Sequence, residues 1–155
     1  MAMYPPPPQA AGPPATGGAS GPRAGFWRRF AGAFIDGILL SIVSRVLEAV
    51  TSTTAGSGIG LVLSIVYFTV LIGSNRGQTL GQMALGIRVI DFNTGGPIGY
   101  GRAFIRWLVS IISALVLLLG YLWMIWDKEK QCWHDKLVSD VVVPVSAYPV
   151  SSWPN

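Results

Sequence analysis

The amino-acid sequence predicts an all-α membrane protein with three to four transmembrane or re-entrant helices and a small cytoplasmic β-hairpin or sheet. The main observation is an uncharged run, WLVSIISALVLLLGYLWMIW, at positions 107–126. A bilayer core of about 30 Å takes about twenty apolar residues in a helix. The composition agrees, because 51% of the 155 residues are hydrophobic and only 12% are charged, which is unusually apolar for a soluble domain.

Two hydrophobic segments near the start of the chain predict a helical hairpin. The first runs from Phe26 to about Val50, the second runs from Ile59 to Ser74, and a polar, Gly-rich connection at 51–60 joins them. Arginines lie before the first segment and after the second. The positive-inside rule therefore places both ends of the hairpin, and the N-terminus, in the cytoplasm.

A change to strand-like alternation follows the second segment. Apolar residues alternate from Leu85 to Val89, and NTGGP at 93–97 is a turn signal. This pattern predicts a β-hairpin whose return strand contains Ile98 and Tyr100.

The third apolar segment, residues 107–126, leaves the topology open. A single span puts the lysines of residues 128–136 outside the cell, against the positive-inside rule. A break at 119–120 instead gives a re-entrant hairpin and a cytoplasmic C-terminus. The valine run at 141–143 favours this second option, because it predicts a strand that pairs with residues 88–91. An odd number of spans remains the alternative.

The remaining parts of the chain are predicted to be tails. Residues 1–22, MAMYPPPPQAAGPPATGGASGP, contain too few large apolar residues to fold, and residues 146–155 form a second flexible tail. The membrane domain is therefore predicted over 23–145. The Pro5–Pro8 run favours polyproline II, either as a solvated spacer or as a docking segment for a soluble partner.

Composition also limits the classes of function. The single cysteine, Cys132, excludes an internal disulfide, and with the single histidine, His134, it cannot form a tetrahedral zinc site. We expect no cofactor. No nucleophile and base are spaced for hydrolysis, so we expect no enzymatic activity. The net charge of +4 comes from arginines beside apolar segments, so we expect the lipid bilayer, not nucleic acid, as the partner.

The carboxylate of Asp36 lies about ten residues into the first apolar segment. Arg29 and Asp36 are seven residues apart, which places them on one helix face about 10 Å apart along the axis. A carboxylate at this depth costs about 3 kcal/mol and needs a partner, for which Arg29, Arg102 and Arg106 are the candidates. The pair is either a structural ion pair or part of a proton or cation site. Asp135, after the third segment, is predicted to cap a helix or to pair with Arg29 or Arg88.

Four segments resemble, in order, those of the RDD family of membrane proteins. They are AGFWRRFAGAFID, GQTLGQMALGIRVID, RAFIRW and WDKEKQCWHDKLVSDVVV, and the resemblance covers residues 24–143. The arginine and two aspartates that name the family correspond to Arg29, Asp36 and Asp135, with Arg28 as an alternative for the first.

The resemblance implies a multi-pass protein of the bacterial or archaeal cytoplasmic membrane, with a transport role suspected for many members. Two positions depart from the family pattern: Gln82 replaces a common basic residue, and Ser139-Asp140 replaces the usual Gly-Thr. We expect a transport-related protein that acts on an ion or small solute, assembled as a homo-oligomer or with a membrane partner. The alternative is a non-transporting scaffold or accessory subunit whose Pro-rich tail recruits a soluble partner.

Overall fold

The computed structural model describes residues 22–51, 53–116 and 119–146. Apart from Pro22 and Ser146, the two predicted tails lie outside the described residues. Within them the elements follow in this order: α1 Phe26–Val50, α2 Thr53–Gly73, α3 Leu80–Ala84, β1 Ile87–Asp91, α4 Gly99–Leu115, α5 Leu119–Leu122, a 3₁₀ turn Trp123–Ile125, α6 Trp133–Val138 and β2 Asp140–Pro144.

The first two helices form an antiparallel pair with little space between their backbones. A Cβ atom added to Gly56 would lie 2.6 Å from Glu48 Cα, and one added to Gly60 would lie 2.6 Å from Ser44 Oγ. Small residues four apart allow helices to approach in this way. The second helix includes these glycines and begins at Thr53, earlier than the sequence predicted.

The surfaces of α1 and α2 are apolar. Among the described residues, two helices are long and apolar enough to cross a membrane: Phe26–Val50, with mean hydropathy 1.8, and Thr54–Gly73, with mean hydropathy 2.1. Only 11% and 17% of their most apolar windows are buried. The fold is therefore mostly helical, with two or three long apolar helices beside a small sheet, in agreement with that part of the predicted fold class.

The third apolar region is broken. The axis of α4 and that of the segment Leu119–Ile125 differ by 109°. After the break the chain folds back beside α4, since a Cβ atom on Gly120 would lie 2.6 Å from Ser113 Oγ. The predicted break point at 119–120 thus lies at the start of α5.

The two described strands pair in antiparallel register, with Val89 opposite Val142 and Asp91 opposite Asp140. This confirms the predicted pairing of the valine run. The predicted hairpin return strand is wrong, because Ile98 is the N-cap of α4. The edge of β1 away from β2 is also occupied: Val89 N–H donates to the Gly77 carbonyl at 2.7 Å.

Both ends of the described chain meet at the sheet. Ala24 N–H donates to the Val142 carbonyl at 2.8 Å, and Arg23 pairs with Glu129 at 2.8 Å. The segment that leads into α1 therefore lies at the same end of the molecule as β2.

Candidate functional site

Asp36 is buried in α1, with 2% of its surface exposed. Its Oδ1 accepts hydrogen bonds from Tyr67 Oη at 2.6 Å and from the Gly81 N–H at 2.8 Å, and its Oδ2 accepts one from Thr79 Oγ1 at 2.6 Å. Tyr67 belongs to α2, and the other two donors belong to the start of α3. The carboxylate therefore joins three helices through neutral donors.

The start of α3 is built to face this carboxylate. Thr79 and Gln82 form a reciprocal capping box, which fixes the first turn. Gly81 lies directly against α1, because a Cβ atom there would lie 2.1 Å from the Gly32 carbonyl oxygen. Only a glycine lets the Gly81 N–H reach Asp36.

The structure does not pair Asp36 with Arg29, and the same holds for every other arginine in the described part of the chain. A helix side chain leans towards the N-terminus of its helix. The long Arg29 side chain therefore reaches away from Asp36, towards the end of the molecule that contains α6. The expectation of an ion pair two turns apart on one helix is wrong.

Arg29 and Asp135 do come together, in a buried cluster that also contains Arg106 and Asp140. Asp135 Oδ2 contacts Arg29 Nη2, while Arg106 Nη1 contacts both Asp135 Oδ1 and Asp140 Oδ1. The backbone N–H of Cys132 donates to Asp135 Oδ2 at 2.8 Å. Both aspartates have no exposed surface. This ion cluster (Arg29, Arg106, Asp135, Asp140) ties α1, α4, α6 and β2 together.

The pKa values of the two aspartates of the ion cluster are shifted in opposite directions. Burial by itself raises the pKa of a carboxyl group, but Arg106 and Arg29 more than offset it at Asp135 and hold that pKa well below its usual range. At Asp140 burial prevails, and the negative charge of Asp135 adds to it, so the pKa of Asp140 is raised well above its usual range. Asp135 is therefore the stronger acid of the two, and Asp140 is the weaker acid.

The other candidate arginines lie outside the ion cluster. Arg102 pairs with Asp91, and its Nε donates to the Val138 carbonyl at 2.8 Å. Arg28 is exposed. Of the suggested partners, the structure therefore brings only Arg106 to the site.

Sequence reasoning did not assign Asp140, His134, Tyr67 or Thr79 to the site. The signal for Asp140 was its departure from the Gly-Thr pattern, which adds a carboxylate. Tyr67 and Thr79 gave no signal, because a hydroxyl group in or beside an apolar segment is common and its partner depends on how α3 docks.

A small space lies between Asp36 and the ion cluster. This central cavity has a volume of about 90 Å³. Its polar lining residues include Arg29, Asp36, Gln82, Arg106, Ser110, Tyr121 and His134. A space of this size accommodates water or a small ion.

Cys132, His134 and Asp135 are the described residues that most nearly resemble a metal site. Their potential ligand atoms lie within 4.8 Å of one another. However, burial raises the pKa of Cys132 to about 12, so the sulfur is a neutral thiol, whereas metals bind the thiolate. Asp135 already contacts two guanidinium groups, whose positive charge opposes a cation. The arrangement suits an ion cluster better than a metal.

Comparison with known proteins gives the family. A family model described as the RDD family matches residues 23–139. The chain belongs to the RDD family. The matched range includes Arg29, Asp36 and Asp135, the three residues that the resemblance had identified.

Individual relatives add little about activity. The chain is 35% identical over 69 residues to a "Proline-rich antigen homolog" of Mycobacterium tuberculosis, which covers 44% of this chain and 29% of that protein. It is 27% identical over 147 residues to the "Uncharacterized protein YxaI" of Bacillus subtilis, covering 77% of this chain and 96% of that protein. An "Uncharacterized protein" of Haemophilus influenzae is 25% identical over 114 residues, 70% of each chain.

The chain thus spans under a third of the length of the proline-rich antigens that it matches. No solved structure shows significant similarity to it.

Proposed function

We propose that this RDD family member is a multi-pass integral protein of the bacterial cytoplasmic membrane. The support comes from the apolar, largely exposed surfaces of α1 and α2. Exposed apolar area of this extent is unfavourable in water and favourable in lipid. Charged side chains such as Asp36 and Arg106 are instead buried inside, as expected of polar groups in a membrane protein.

In the proposed topology, α1 and α2 span the bilayer and the broken region from α4 to the 3₁₀ turn is a re-entrant hairpin. The hydrogen bond between Ala24 and Val142 favours both ends of the RDD domain on one side. Arg76, Arg88 and Arg102 lie near the same sheet in sequence, and the positive-inside rule assigns this side to the cytoplasm.

We further propose that the protein takes part in transport of an ion or small solute, with the central cavity as part of the route. One observation carries this proposal: a cavity of about 90 Å³ with charged and polar side chains in its wall lies among helices whose outer surfaces are largely apolar. Two of the three name-giving residues of the family, Arg29 and Asp36, line it, and the third, Asp135, binds Arg29. A few short helices enclose no complete path, so the working unit is a homo-oligomer or a complex with another membrane protein.

The test is ion flux into vesicles that contain the purified full chain. We expect Asp36→Asn to abolish flux while the protein still inserts and assembles, because the variant removes the charge but keeps a hydrogen-bonding side chain of the same shape. Glu48→Gln is the matched control, since it removes a carboxylate of the same helix that pairs with Arg45 and does not line the cavity. Equal flux through Asp36→Asn and the wild type contradicts the proposal.

A scaffold or accessory subunit is the second candidate, and one observation favours it. Both oxygens of Asp36 and both oxygens of Asp135 already accept hydrogen bonds from the protein. Such saturation suits residues that hold helices together. Under this alternative the wild-type vesicles pass no ion, Asp36→Asn fails to accumulate, and removal of residues 1–22 abolishes recruitment of a soluble partner.

A further inference from the structure

A groove separates α1 from the broken region of the chain. α1 packs mainly on α2 and α3, whereas α5 packs mainly on α4 and α6, and a space of about 330 Å³ remains between α1 and α5. We call this space the lateral groove. Its apolar lining comes from α1 on one side and from the broken region on the other: Phe26, Phe30, Phe34, Ala114, Leu122 and Met124.

The lateral groove and the central cavity are neighbours. Arg29, Ala33 and Tyr121 line both of them. Phe30 and Phe34 of the groove are 52% and 59% exposed, on a surface that faces lipid in the proposed topology. One molecule can therefore place an apolar part in the groove and a polar part in the cavity.

The wall of the central cavity offers hydrogen-bond donors that lack acceptors. Arg106 contacts its two aspartates through Nη1, which leaves Nε and Nη2 without an acceptor in the described part of the chain, although only 6% of the residue is exposed. Gln82 uses its Oε1 in the capping box, and its amide N–H groups have no acceptor among the described residues. The oxygens of Asp36 already accept three hydrogen bonds. A ligand in the cavity should therefore supply acceptors.

The free nitrogens of Arg106 point to a particular acceptor. Nε and Nη2 form one side of the guanidinium group, where two parallel N–H bonds match the two oxygens of a carboxylate. The size of the cavity agrees, because about 90 Å³ holds about three groups of the size of water, at about 30 Å³ each. A carboxylate fits this space, whereas the head group of a phospholipid is larger.

The lateral groove suits one hydrocarbon chain. Its volume of about 330 Å³ lies at the lower end of the range for small-molecule sites. At about 30 Å³ per group it holds on the order of ten chain carbons. This is enough for most of one long chain and too little for the two chains of a phospholipid.

We infer that the lateral groove and the central cavity together bind a long-chain carboxylic acid. The chain lies in the groove, the polar end passes Arg29 and Tyr121, and the carboxylate binds Nε and Nη2 of Arg106. The acid enters sideways from the bilayer, so the inference rests on the membrane topology of the proposed function. An acid bound in this way also occupies the central cavity and closes the proposed ion route.

The first test is binding of radiolabelled palmitic acid to the purified full chain in detergent micelles. We expect saturable binding of one acid per chain. Unlabelled palmitic acid should displace the label at roughly tenfold lower concentration than hexadecylamine, which has the same chain but an ammonium group that cannot accept a hydrogen bond. Phosphatidylglycerol, which has two chains and a larger head group, should also displace it poorly.

The second test fills the lateral groove without touching the polar wall. Ala114 lines the groove and not the central cavity, and Ala114→Trp places a large ring where the chain lies. We expect an unchanged melting temperature and a loss of affinity for palmitic acid of roughly tenfold or more. Leu115→Trp is the matched control, since Leu115 is the next residue, is 77% exposed and lines neither space. It should bind as the wild type does.

Arg106→Lys tests the carboxylate contact, because lysine keeps the charge but lacks the two parallel N–H bonds. We expect it to bind palmitic acid and hexadecanol with similar affinity, whereas the wild type prefers the acid. If this variant does not fold, the displacement series and the Ala114→Trp variant decide.

Each remaining outcome overturns a stated part. Equal displacement by hexadecylamine overturns the carboxylate contact. Equal displacement by phosphatidylglycerol, or equal affinity of Ala114→Trp and Leu115→Trp, means ordinary contact with lipid and overturns the site. Ion flux in vesicles without saturable binding of palmitic acid overturns this inference and leaves the proposed transport standing, whereas saturable binding without any flux does the reverse.

Discussion

The hydrogen-bond donors around Asp36 and those around Asp135 compensate for the burial of a carboxylate in two different ways. Each is a fully buried carboxylate, but Asp36 is bound by two hydroxyl groups and one backbone N–H, whereas Asp135 is bound by two guanidinium groups and one backbone N–H. The first arrangement lies among apolar helices, and the second lies where those helices meet the sheet. The guanidinium groups thus lie at the sheet end of the molecule, and in the proposed topology burying arginine there costs less than at the centre of the bilayer.

The difference also explains why the two sites have different tolerance to change. Neutral donors that lose Asp36 can turn to other acceptors or to cavity water. Guanidinium groups that lose Asp135 remain charged and buried, which is among the most costly states of a protein interior.

Removal of the Asp135 charge is expected to have the largest effect. Asp135→Ala leaves Arg29 without a carboxylate and Arg106 with only Asp140, so we expect a loss of about 3–5 kcal/mol in the free energy of unfolding. Thermal unfolding in detergent, followed by tryptophan fluorescence, measures it. Asp127→Ala breaks the partly exposed pair with Lys136 and should cost less than about 1 kcal/mol. Equal losses in the free energy of unfolding for the two variants would mean that burial does not make the ion pairs of Asp135 more important for stability than the pair of Asp127 with Lys136.

A smaller effect concerns pH. Because the pKa of His134 is lowered on folding from about 6.5 to about 3, the unfolded chain binds more protons between these values. Stability therefore falls as pH decreases below about 6.5, by up to about 1.4 kcal/mol per pH unit. The groups that face this ring are Asp135, Arg106, Arg29, Cys132 and Tyr121.

His134→Gln should remove this part of the acid sensitivity. The measurement is the difference in melting temperature between wild type and variant at pH values from 7 to 5. Asp140 has a raised pKa and acts in the opposite direction, but it is present in both proteins and cancels to first order. A difference that does not grow on acidification contradicts a neutral, buried imidazole.

The smallest expected effect directly tests whether the partners of Asp36 are neutral groups. In a double-mutant cycle, Asp36→Asn and Thr79→Val should couple by about 1 kcal/mol, because the two side chains share a hydrogen bond. Asp36→Asn and Arg29→Lys should couple by less than about 0.5 kcal/mol, since they share no contact. A larger coupling energy between Asp36→Asn and Arg29→Lys would mean that these two residues form the ion pair that the sequence suggested.

Much of the fold could be predicted from local pattern. The apolar segments, the break near 119–120 and the pairing of residues 141–143 with residues 88–91 all follow from hydrophobicity and β-branched residues, which act over a few neighbours in sequence. The hairpin return strand failed for the opposite reason. Whether Ile98 continues a strand or begins a helix depends on which segments occupy the edges of β1, and those come from distant parts of the chain.

Several residues of the site could be predicted from the sequence, but most of the contacts between them could not. Arg29 and Asp135 were expected near each other and are in contact. The partners of Asp36 lie 43 and 45 positions away, at Thr79 and Gly81, and no spacing rule relates them. Their identity follows from the close contact of two glycine backbones, which becomes visible only when α3 is docked on α1.

The bond from Ala24 to Val142 has a consequence for biogenesis. During synthesis the ribosome completes α1 at Val50, 90 residues before Asp140, the first residue of the strand that binds Ala24. In the proposed topology the helical hairpin therefore enters the bilayer early, while the end of the molecule that holds the sheet closes only after residues 140–144 have emerged. A nascent chain that stops short of them leaves β1 without its partner strand and Arg106 without Asp140.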